Sequence, residues 1–158
     1  MSASPEGSSA PTVENLHDLT REFFRLHLPA SVAPPAWSAD PWRFVGTIPQ
    51  QELRGCYALL GDEHVLYVGV GAGQNSGRYE GAGLGQRLHR YWKVDAEASR
   101  TETGERRYRA AERFEHVTSI ATLGFGDEAA PFWYLAYALE PYLIAQLVPA
   151  MNSVWARR

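Results

Sequence analysis

From residue 129 to residue 156 the chain carries one charged side chain, Glu140, set in the stretch Trp133-Tyr134-Leu135-Ala136-Tyr137-Ala138-Leu139-Glu140-Pro141-Tyr142-Leu143-Ile144. The apolar spacing predicts a helix over 130–147, and helical periodicity puts positions 133, 136, 137, 140, 143, 144 and 147 on one face. Glu140 is then the lone carboxylate among Trp133, Tyr137, Leu143, Ile144 and Leu147. An ionised carboxylate withdrawn from water without a partner is costly, so Glu140 must be paired, protonated or holding a cation. Pro141 beside it removes a helix hydrogen bond and predicts a kink or a fresh helix start. Together Glu140 and Pro141 interrupt the best candidate for a membrane span.

At 158 residues, with 45% hydrophobic and 21% charged side chains, the chain suits one globular domain. The polar start, Met1 to Ala10, lacks the apolar centre of a signal peptide, so a cytoplasmic protein without a membrane partner is expected. Cys56 is the single cysteine, which excludes an internal disulfide and a cysteine-held zinc. Net charge is −3, yet residues 78–113 hold nine basic against six acidic side chains. That segment is compatible with a phosphate backbone, and equally with a solvated surface of mixed charge.

Residues 1–11, rich in Ser, Pro, Gly and Ala, are expected to be disordered. Thr12 is the candidate N-cap of a helix over 13–28 with Leu16, Leu19, Phe23, Phe24 and Leu28 as its apolar stripe. Pro29, Pro34, Pro35 and Pro41 then predict an extended connector carrying Trp37 and Trp42. Residues 12–52 are accordingly read as a helical appendage and residues 53–158 as the core domain. In the core, strands over 56–60 and 64–69 flank a tight turn at 61–63, the pattern of an antiparallel hairpin. A Gly-rich loop over 71–83, a helix over 84–98, a charged loop with some helix over 99–112 and a strand over 114–123 follow. The architecture expected is α/β: a small three-stranded, mainly antiparallel sheet flanked by helices.

Three motifs bear on function. Gly69-Val70-Gly71-Ala72-Gly73 follows a strand like a phosphate-binding loop, but no helix opens on it, as the dinucleotide fingerprint requires. Arg78-Tyr79-Glu80-Gly81-Ala82-Gly83 resembles the pyrophosphate-binding turn of acetyl-CoA-dependent acetyltransferases and leaves Glu140 unexplained. The third spans the core: Gly55-x-Tyr57, Tyr67-Val68-Gly69, Arg87-Leu88 with Tyr91 four residues after the arginine, Glu140-x-x-Leu143-Ile144, Pro149 and Asn152. This order resembles the GIY-YIG nuclease superfamily, with spacing most similar to the nuclease half of the bacterial nucleotide-excision incision protein and related restriction enzymes. Val70 stands where that protein commonly has Lys, and the intervals around Arg87 are longer.

The resemblance implies a role for each residue. Glu140 would bind one Mg²⁺ or Mn²⁺ ion; Tyr57 would position or activate the attacking water, with Tyr67 in the same network. Arg87 would hold the scissile phosphate of DNA, RNA not being excluded. Tyr91, where other members carry His, would act as a base only if its ordinary pKa near 10 were lowered. Gly69 would let backbone approach the substrate, Asn152 would bind phosphate or brace the glutamate's helix, and Arg90 and Lys93 would add substrate contacts. No second recognition domain is evident, so targeting would fall to the helical front segment, the two insertions, a homodimer or a protein partner. The alternatives are a catalytically weak or inactive nucleic-acid-binding module of the same fold and, ranked below it, an acetyl-CoA-dependent acetyltransferase.

Overall fold

The computed structural model describes residues 9–73 and 83–152. Helix α1 (Val13–His27) opens at Thr12, whose side chain accepts from the Asn15 N–H while Asn15 caps back, so two end donors are satisfied together. Strands β1 (Gly55–Gly61) and β2 (His64–Gly71) form the expected hairpin, turning through Asp62 at a φ of 54°. Helix α2 (Gly83–Leu88) and a 3₁₀ turn (His89–Tyr91) lead into a short antiparallel pair, β3 (Trp92–Val94) with β4 (Tyr108–Ala110). Strand β5 (Ser119–Gly124) completes a three-stranded antiparallel sheet of order β2-β1-β5. A 3₁₀ segment (Asp127–Leu135) then feeds α3 (Ala136–Leu147).

Because β1 is central, its alternating side chains are buried on both faces. Cys56, Ala58 and Leu60 point into a core shared with α1 and α3, where Leu16, Phe23, Phe24, Leu139, Leu143 and Ile144 gather. Tyr57 and Leu59 point the other way, into a second cluster with Leu84, Leu88, Tyr91 and Ile120.

Several expectations need correction. The helix expected over 84–98 stops at Tyr91, because Trp92 and Tyr108 gain more by packing across a strand pair against Trp42 than by continuing a helix. Of the charged stretch 99–112, residues 99–107 belong to the arm joining β3 and β4, with Arg100 bridged to Arg106, Tyr108–Ala110 are β4 itself, and a 3₁₀ turn at Glu112–Phe114 follows. The third core strand starts at Ser119 rather than 114. α-Helix begins only at Ala136 and runs through Pro141, so the proline does not mark a fresh start.

The front segment is built into the sheet instead of standing apart as an appendage. Pro11 accepts from the Val65 N–H at 2.8 Å, while Trp42 exchanges both backbone hydrogen bonds with Ile120 at 2.8 and 2.9 Å. Residues 11–13 and 37–42 thus cover opposite edges of the sheet, which would otherwise present unpaired backbone groups. Of the tail expected to be disordered, residues 1–8 lie outside the described residues. No helix among the described residues is long and apolar enough to cross a membrane.

Candidate functional site

β1 and β2 set Tyr57 directly opposite Gly69. A Cβ at Gly69 would collide with the Tyr57 ring, so the glycine makes room for the phenol. The phenol runs over β2 to meet the hydroxyl of Tyr91 at 2.6 Å. Tyr67 joins them, its ring centroid 6.1 Å from that of Tyr57 and 6.4 Å from that of Tyr91. The 3₁₀ turn after α2 positions Tyr91, and Phe114 packs edge-on against it at 4.8 Å.

Arg87, on the last turn of α2, extends beside the Tyr57 hydroxyl. Burial pushes the Tyr57 phenol well up, and the fields and hydrogen bond of its tyrosine neighbours add to this. Tyr91 is also raised, by burial first, while its hydrogen bond to Tyr57 and the charges of Arg87 and Arg90 pull the other way. Both phenols therefore hold their protons, and either hydroxyl can be the donor in the bond between them. Neither is lowered in the way a base at neutral pH would need.

Glu140 lies on α3 at the border between its buried face and solvent. Burial raises its pKa, and the field of Arg87 opposes the rise. The Cys56 thiol, whose Sγ lies 3.5 Å from the Ala136 carbonyl, is pushed up by burial and by the Glu140 charge. Among the described residues no basic side chain lies within 4.0 Å of the Glu140 carboxylate. Half-buried, the carboxylate keeps a solvent side, and none of the described residues supplies it with a cation in contact. No three His, Cys, Asp or Glu side chains converge among the described residues, so Glu140 would be one of at most two such ligands from among them. That donor set fits a hard divalent ion that keeps most of its water or takes phosphate oxygens, as Mg²⁺ does.

A cavity of about 380 Å³ opens beside the cluster, lined by Val70 to Gly73, Gly83, Gln86, Arg87, His89, Arg90 and Tyr137. Arg87 connects it to the tyrosines. Gln86 Oε1 and Arg87 Nε are shielded from solvent and have no hydrogen-bond partner among the described residues, whereas most buried polar groups are satisfied. Tyr137, one turn before Glu140 and half exposed at 52%, and Gln86 were not singled out by motif, since neither belongs to the pattern that marks the others.

Arg90 is exposed at the cavity. Lys93 does not line it; it lies on β3 with its ammonium 4.0 Å from Glu112. Asn152 is buried, donating to the Val68 carbonyl at 2.9 Å and accepting from the Val68 N–H at 2.8 Å. Its amide thus replaces a neighbouring strand at the edge of β2, and what it braces is that strand rather than the helix of Glu140. Val148, in the left-handed region at a φ of 48°, turns the chain off α3 toward that position. Of the acetyltransferase-like turn, 78–82 lies outside the described residues, and Gly83 packs its backbone on Gly71, where a side chain on either would collide.

Comparison with protein-family models, curated proteins and solved structures finds no match.

Proposed function

We propose that the chain is a GIY-YIG-type endonuclease that hydrolyses DNA phosphodiester bonds with one divalent metal ion. The observation that carries this reading is the Tyr57–Tyr91 hydroxyl pair with Arg87 beside it at an open cavity, and Glu140 in the field of the same arginine with no basic side chain in contact among the described residues. Residues on two strands, a helix and a turn are drawn together, although packing alone would favour apolar side chains there.

Each residue has a task in this reading. Arg87 presents its guanidinium to a phosphate and balances the charge that develops on the phosphorus oxygens. Tyr57, kept neutral by burial, shares its hydrogen bond with Tyr91 and orients it; Tyr67 closes the aromatic wall. Tyr91 Oη takes a proton from the attacking water when its phenol is ionised, a form that Arg87 and Arg90 favour and burial opposes. Glu140 would hold the metal, which when bound supplies charge neutralisation at the phosphate and a more acidic water.

Nicking of supercoiled plasmid with Mg²⁺ or Mn²⁺ tests the reading. Glu140→Gln should lower the rate by at least about a hundredfold while the far-ultraviolet dichroism stays that of the wild type. An active Glu140→Gln protein sinks it. Since the Tyr91 phenol sits above its ordinary value of 10.0, the rate should climb with pH throughout the neutral and mildly alkaline range, and Tyr91→Phe should flatten that slope. The protonated state of both phenols favours a second reading, a nucleic-acid-binding module with little catalysis. Salt-sensitive DNA binding without cleavage under any divalent metal would establish it.

A further inference from the structure

A second cavity, about 470 Å³, lies away from Arg87 and Glu140 and plays no part in the chemistry above. Its size falls within the range of small-molecule sites. Trp42, Trp92 and Tyr108 line it, with centroid separations of 6.2 Å for Trp42–Trp92, 5.6 Å for Trp42–Tyr108 and 4.6 Å for Trp92–Tyr108. The rings are inclined to one another by 49 to 67° and pack together; Trp42 is buried and forms the floor, while the half-buried Trp92 and Tyr108 carry the ring surface that is open to a ligand. Trp42 is locked by hydrogen bonds from its indole N–H to the carbonyls of Val45 and Gly46, at 2.9 and 3.2 Å. The Trp92 indole N–H, by contrast, is buried without an acceptor among the described residues.

Gln51, Glu105 and Arg106 also line this cavity. A cage for an alkylated ammonium would want acidic groups without a neighbouring cation; here Arg106 offsets Glu105. A flat heterocycle suits the lining better, having two π faces for the rings and an edge of donors and acceptors for the Gln51 amide.

We propose that the cavity lined by Trp42, Trp92 and Tyr108 is a nucleobase pocket, taking one unpaired base of a nucleic-acid strand, stacking it on the open rings and reading its edge with Gln51. Residues 83–92 serve both cavities: Gly83, Gln86, Arg87, His89 and Arg90 line the first and Trp92 the second. Tyr91 and Trp92, adjacent in sequence, direct their rings to the hydroxyl cluster and to the base pocket respectively. Extruding a base is cheapest where it is mismatched, damaged or single-stranded, so such a pocket would select the substrate's structure. That the base belongs to a nucleic-acid substrate rests on the nuclease reading; the pocket's affinity for a base does not.

The test follows the tryptophan indole N–H resonances of the full chain during titration with each of the four deoxynucleoside 5′-monophosphates, using deoxyribose 5-phosphate as the control without a base. At least one nucleotide should shift the Trp42 and Trp92 signals saturably while the sugar phosphate leaves them in place. Trp92→Ala should weaken binding by about tenfold, read at Trp42. Because that truncation removes packing from β3, Gln51→Ala is the second variant, and it should weaken the best-bound nucleotide severalfold with an unchanged thermal midpoint. Absence of any shift up to millimolar nucleotide, or equal shifts with the sugar phosphate, overturns the pocket. Nucleotide binding without plasmid nicking keeps the pocket and removes the nuclease; Glu140-dependent nicking without nucleotide binding does the reverse.

Discussion

The two faces of β1 are built to different ends. On one, Cys56, Ala58 and Leu60 meet α1 and α3 through aliphatic and aromatic contacts. On the other, one residue out of phase, Tyr57 carries a hydroxyl into the interior to meet Tyr91. The buried side-chain atoms without hydrogen-bond partners among the described residues, Gln86 Oε1, Arg87 Nε and Trp92 Nε1, all fall in the segment 86–92 that covers this second face. Unsatisfied polar groups concentrated on one side of a sheet, opposite a well-packed side, are the pattern expected where stability has been given up for a ligand.

The comparison breaks most easily on the α1/α3 face. Leu143 is fully buried there, so Leu143→Ala should cost about 2–5 kcal/mol in a denaturant titration. A loss well below that would mean the face is loosely packed and the contrast false.

The hydroxyl pair gives a smaller effect of different form. Tyr57→Phe leaves the Tyr91 hydroxyl without its partner and should cost about 1–3 kcal/mol, whereas Tyr57→Phe with Tyr91→Phe should recover most of that loss. A double-mutant cycle in which the two costs simply add would show that the hydroxyls do not depend on each other.

The smallest shift expected, and one of opposite sign, is at Glu140. Its folded pKa is raised above the ordinary 4.5 by burial, so the folded state favours the protonated form. The stability this group contributes is therefore full below 4.5 and is lost as pH rises through the folded value. Glu140→Gln should accordingly melt higher than wild type at neutral pH, with the difference vanishing in acid. Added Mg²⁺ should raise the midpoint of the wild type but not of the variant. A wild type that melts higher at neutral pH without metal would mean that a cation of the chain pairs with Glu140.

How much was legible in the sequence depended on distance along the chain. The hairpin could be read because strand alternation and the Gly61-Asp62-Glu63 turn are local, and α1 because Thr12 and the stripe from Leu16 to Leu28 declare a capped amphipathic helix. Glu140 stood out because a charge amid apolar residues demands a partner wherever the chain goes. Tertiary structure alone decided what lies opposite what. Gly69 takes its role from Tyr57 across the hairpin, and Asn152 from the backbone of Val68, 84 positions away. Trp92 is a strand residue because Tyr108 and Trp42 meet it, and the front segment belongs to the core because the sheet has two edges to cover. Periodicity and capping act within a few residues and are written in the sequence. Cross-strand packing and edge pairing act through space, between segments whose proximity exists only once the chain has folded.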